Sequence, residues 1–94
     1  MMKDIIDNCL REHPRITAYD GIFGGTPHIR DRRLSVGDIL SKIYIYGSIQ
    51  GVVDAYADYP PPLSEEDVKE ALAFAQDFID EAFLRIIRES CMPR

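Results

Sequence analysis

The chain has 94 residues, 46% of them apolar and 29% charged, with a formal net charge of −5. That is room for one core, in a composition that excludes a disordered or membrane-embedded chain. No apolar stretch is long enough for a signal peptide or a membrane span, and Cys9 and Cys91 are far apart with no CxxC, so a cytoplasmic protein with reduced thiols is expected.

In chain order, Ile5, Ile6, Cys9 and Leu10 fall at helical spacing, and Pro14 marks the end of a short, fraying helix over residues 1–14. From Arg15 to Leu34 the pattern changes to short extended pieces punctuated by Gly21, Gly24, Gly25 and Pro27, which predicts a glycine-rich β-hairpin or looped arm. Asp31 tolerates the left-handed backbone of a tight turn, which Ile29 and Leu34 would flank.

Ser35 is placed as the N-cap of the next helix, with Asp38 completing a capping box and Leu34 stapling against Ile39. Val36, Ile39, Leu40, Ile43 and Tyr46 form its apolar stripe, and Gly47 ends it. Ser48 caps a second helix at once, with Ile49, Val52, Val53 and Tyr56 as its stripe. The prolines at 60, 61 and 62 lack amide donors and fix their own backbone, so they predict a stiff connector. Ser64 then caps a long third helix reaching about residue 89. Glu65, Glu66 and Asp67 sit in its first turn, where the helix dipole favours them, and Leu63 staples to Val68. Its core face is read as Val68, Leu72, Ala75, Ile79, Ala82, Phe83 and Ile86. Phe74, Phe78, Leu84 and Ile87 fall off that face, so a second buried surface is expected, covered by the amino-terminal helix or by a dimer or partner contact.

Candidates for catalysis are sparse. His13, His28, two distant cysteines and scattered carboxylates form no spacing signature, and no cofactor or metal site is read, so a non-enzymatic protein is expected. Binding has more to use. Charge is uneven along the chain: residues 1–46 sum to +1 and residues 47–94 to −6. His28, Arg30, Arg32 and Arg33 lie within six residues, opposed only by Asp31. Two short helices joined at Gly47-Ser48 behind this basic segment are the ordered parts of a helix-turn-helix. On the second helix Gln50, Gly51, Asp54 and Ala55 would face outward, and of these only Gln50 is a good base reader. Nucleic-acid contacts are therefore assigned to Arg15, His28, Arg30, Arg32, Arg33 and Gln50. The alternative is that the arginines pair with carboxylates of the third helix.

The order of motifs is itself informative: Arg15-Ile16-Thr17, then residues 24–30 reading Gly-Gly-Thr-Pro-His-Ile-Arg, then residues 33–40 reading Arg-Leu-Ser-Val-Gly-Asp-Ile-Leu, then Tyr59-Pro60 and residues 63–72 from Leu63 to Leu72. Over residues 15–75 this resembles the domain-of-unknown-function family numbered 433, which is similar to antitoxins of type II toxin–antitoxin modules. The resemblance implies a homeodomain-like three-helix core behind the β arm, residues 1–14 and 76–94 being extensions. It also implies a dimeric bacterial regulator that binds a PIN-domain toxin and its own operator DNA. Thr26 and Asp31 stand where the family pattern favours lysine and glycine, and Pro61-Pro62 lengthens the connector. The second functional expectation, from a different class, is a protein-interaction module of the same fold that has lost DNA binding.

Overall fold

The computed structural model describes residues 2–18, 26–30, 32, 34–58 and 62–90. It is mainly helical, with α1 (Met2–Glu12), β1 (Ile16–Thr17), β2 (His28–Ile29), α2 (Val36–Tyr46), α3 (Ile49–Ala55) and α4 (Glu65–Ser90). Of the expected features, the glycines at 21, 24 and 25, Asp31, Arg33, the prolines at 60 and 61 and Cys91 lie outside the described residues. No described helix is long and apolar enough to cross a membrane.

The helix boundaries follow local chemistry. Ser35 is extended (φ −75°, ψ 160°), and its hydroxyl accepts the Asp38 amide at 3.0 Å while the Asp38 carboxylate accepts the Ser35 amide at 3.2 Å. Two amides that the helix cannot satisfy internally are thereby paired. The same box recurs at α4 between Ser64 and Asp67, at 3.0 and 3.2 Å. Gly47 ends α2 at φ +81°, a left-handed conformation that suits glycine, and its amide donates to the Ile43 carbonyl at 2.7 Å. Ser48 then caps α3 by accepting the Gly51 amide at 2.9 Å.

This tight junction depends on Gly51. A Cβ there would meet the Tyr46 carbonyl oxygen at 2.9 Å and the Tyr46 Cβ at 3.0 Å, so α3 could not start this close to α2. Gly51→Ala is expected to destabilise by about 1–3 kcal/mol in urea denaturation. Gly37 is the contrasting case, since its nearest non-local atom is Ser35 Oγ at 3.8 Å. Gly37→Ala is expected to stabilise by up to about 1 kcal/mol through helix propensity.

The hairpin pairs Ile16 with Ile29 and Thr17 with His28 in antiparallel register, and the Arg30 amide donates to the Arg15 carbonyl at 2.8 Å. A tighter turn follows: the Ile29 amide donates to the Leu34 carbonyl at 3.0 Å, so these two residues do flank it. The Val36 amide then donates to the Pro27 carbonyl at 3.0 Å, tying the hairpin to the start of α2. The strands are a packed ribbon rather than a flexible arm, because Ile16, His28 and Ile29 are all buried.

Helices α2, α3 and α4 pack on one another as a three-helix bundle, and α1 lies along α4. One cluster holds Ile5 and Cys9 from α1, the hairpin isoleucines, Ile39, Val52, Leu63, and Val68, Ala71 and Phe74 from α4. The core face of α4 is therefore rotated from the one that periodicity suggests. Val68 belongs to it and Ala75 and Ala82 pack against it, but Ile79, Phe83 and Ile86 are about half exposed, and Ala71 and Phe74 take the buried positions. The helix is apolar on two adjoining faces, and spacing within it cannot rank them. The docking of α1, α2 and α3 selects the face that carries Phe74.

Candidate functional site

The fold keeps Arg15, His28, Arg30 and Arg32 together on the hairpin and the turn after it, and places Gln50 apart from them on α3. Arg15 directs Nη1 to Asp67 Oδ1 at 3.0 Å, while the other carboxylate oxygen of Asp67 serves the Ser64 cap. This is the carboxylate pairing posed as the alternative, and it fastens the hairpin to the first turn of α4. Arg30 is exposed, with Nε donating to the Pro14 carbonyl at 3.0 Å. Arg32 is half-buried in the turn after β2.

His28 is 1% exposed, and its Nδ1 lies 2.8 Å from the Thr26 carbonyl oxygen. A carbonyl only accepts, so Nδ1 carries the proton. Burial takes this side chain off any surface a nucleic acid could reach, which corrects its assignment as a contact.

On α3 only Gln50 and Asp54 are exposed among the four outward positions expected, Gly51 and Ala55 being partly covered. Gln50 Nε2 donates to Asp54 Oδ1 at 2.8 Å, so the one good base reader is engaged by its own helix. Across α2 and α3 the charged residues are Lys42 against Asp38 and Asp54. A face of that balance offers phosphates no surplus of positive charge.

The aromatic and aliphatic residues off the expected α4 face separate into two groups. Phe74 is 3% exposed inside the chain's own core, and Phe78 packs partly against it, so α1 and the bundle account for that half of the expected second surface. Burial within the chain corrects the assignment of Phe74 to a partner interface. Leu84 and Ile87 remain 50% and 53% exposed, joined by Ile79, Phe83 and Ile86 at 48–58%. Beside them runs an apolar groove of about 300 Å³ lined by Ile6, Pro27, Val36, Leu40, Phe78 and Ile79. Leu40, expected in the α2 core stripe, instead stands at the groove edge, 40% exposed.

Sequence reasoning missed the other side of α4. His13 is buried with Nε2 2.5 Å from Asp77 Oδ2, Nδ1 3.7 Å from Glu70 Oε2, and its ring edge-on to Phe74 at 6.0 Å. These partners lie 64 residues apart in sequence for the closest pair, and no local motif announces them. His13→Ala is expected to remove about 1–3 kcal/mol, with faster amide exchange confined to α1 and the facing turns of α4, which the His13–Asp77 contact joins. Next to it an acidic cleft of about 430 Å³ is lined by Asn8, Cys9, Glu12, Asp77, Asp80 and Glu81. Burial first, and then the charges of Asp77, Glu81 and Glu12, push the Cys9 thiol above the usual range, so it stays protonated and is a poor nucleophile. Among the described residues no group of three or more His, Cys, Asp or Glu is placed to hold a metal ion.

The sequence model of DUF433, a family described as a protein of unknown function, matches residues 16–75. That span takes in the hairpin, α2, α3 and the first turns of α4. No curated protein and no solved structure matches the chain.

Proposed function

Starting from the chain's membership of the DUF433 family, we propose that the protein is a non-enzymatic, antitoxin-like interaction module that works by protein contact and not by reading DNA bases. The observation that carries this reading is the row of five large apolar side chains, each about half exposed, on the last turns of α4 beside an apolar groove. Contiguous apolar surface of this kind marks a protein-binding site. A PIN-domain nuclease is the partner that the family resemblance implies. The helix pair acts in this reading as a scaffold that holds α4, its exposed polar face being closed by Gln50 and Asp54 on each other.

A second reading, a DNA-binding regulator of its own operator, is favoured by one observation. Arg30 is exposed in the turn that Arg32 shares, and no described carboxylate is in ion-pair range of Arg30. Anisotropy of a labelled mixed-sequence duplex, titrated with protein between about 50 and 200 mM salt, separates the two. The protein-contact reading expects binding no tighter than the ~10⁻⁴–10⁻⁶ M non-specific range, with Arg30→Ala plus Arg32→Ala changing little. Tight binding that collapses with salt and is lost in the double variant would establish the DNA-binding reading instead.

A further inference from the structure

We infer that a second copy of this chain covers the outer face of α4, the two helices crossing antiparallel with Phe83 on the two-fold axis. The inference rests on the protein-contact reading and names a second copy, in place of the toxin that the family resemblance implies, as the occupant of the apolar face. Ile79, Phe83 and Ile87 follow one another at four-residue spacing and so form a ridge on the surface of α4, with exposures of 48%, 58% and 53%. The ridge reads the same from either end, Ile-Phe-Ile. A two-fold axis at Phe83 sets Ile79 of each copy against Ile87 of the other, which is the self-complementarity that a symmetric dimer requires. An unrelated partner would have no need of a palindromic ridge.

The neighbouring positions form the rim of this pairing. In that register Ile87 of the second copy comes level with Ile79, and its Ile86 level with Asp80. At 100° per residue, Glu81, Arg85 and Arg88 fall on the far side of α4 from Phe83, and Asp80, about 60° from Phe83, is the charged side chain at the edge of the seam. The area is also of the right size. Five half-exposed side chains of this kind present roughly 500 Å² of apolar surface per copy, the larger part of the ~800 Å² that each partner gives to a standard interface.

The test is sedimentation equilibrium on the full chain from micromolar to several hundred micromolar, with far-UV circular dichroism on every variant. The wild type is expected to be dimeric, and Phe83→Glu, which places two charges face to face on the axis, is expected to weaken association on the order of 100-fold or more while leaving helicity intact. Should Phe83→Glu disturb the fold, Phe83→Cys in a Cys91→Ser background gives an independent readout. A residue on a two-fold axis cross-links to itself, so mild oxidation is expected to yield a disulfide-linked dimer. A wild type that stays monomeric, a Phe83→Glu chain that is folded and still dimeric, or a dimer in which Phe83→Cys fails to cross-link would each overturn the inference. A monomer that also fails to bind DNA would remove self-association alone and leave the protein-contact reading in place.

Discussion

Replacing Phe74 with alanine is expected to remove about 3–5 kcal/mol, the cost of deleting a buried aromatic ring. The ring is 3% exposed, belongs to the cluster that includes Ile5, Cys9, Ile39 and Val52, and makes a T-shaped contact with the His13 ring. It therefore supports two packings at once, α1 on α4 and the three-helix bundle. A domain of this size has about 5–15 kcal/mol in total, so the variant is expected to be marginal near room temperature. Thermal denaturation followed by circular dichroism should show a midpoint lowered by at least about 12 °C. A loss under about 1 kcal/mol would mean that α1 does not close over Phe74.

Ile39→Ala is the second large effect, expected at about 2–5 kcal/mol. Ile39 is fully buried on α2, in the staple position after the Ser35 cap, and its neighbours in the cluster come from every element of the bundle. The two substitutions differ in reach. Phe74→Ala should raise amide exchange in α1 before global unfolding, whereas Ile39→Ala should lower the protection of α2, α3 and α4 together. Ile39→Val, which removes one methylene from the same site, is expected at about 0.5–1.5 kcal/mol, and urea denaturation orders the three.

The parts of the fold that were legible in the sequence are those fixed within a few residues. Ser35 with Asp38, Ser48, Ser64 with Asp67, and Gly47 occupy their capping positions because each satisfies backbone groups in its own turn. The turn closed by Ile29 and Leu34 is similarly local. The rotation of α4 was not legible, because Val68, Ala71, Phe74 and Phe78 define one apolar face and Leu72, Ile79, Phe83 and Ile86 another, both at helical spacing. The elements that pack on α4 from elsewhere in the sequence, α1 with α2 and α3, decide between them. His28 has the same lesson. As one of four basic side chains in six residues it reads as a surface contact, yet its alternation partner in the two-residue strand is Ile29 and both are buried by the packing of the hairpin on α4.

The acidic start of α4 shows how one residue can serve two ends. Asp67 is explained locally by the cap and the helix dipole, and nothing in that explanation points to Arg15, 52 residues earlier. Because that pair is half exposed on the arginine side, Arg15 contributes more to the placement of the hairpin than to stability.

That the chain does not read DNA through α3 is tested most directly by an amide nuclear magnetic resonance titration with a mixed-sequence DNA duplex at low salt. The prediction is that the amides of residues 48–54 and of the turn at residues 30–32 stay in place as duplex is added. Saturable shifts concentrated in the first turns of α3, fading as salt is raised, would contradict it.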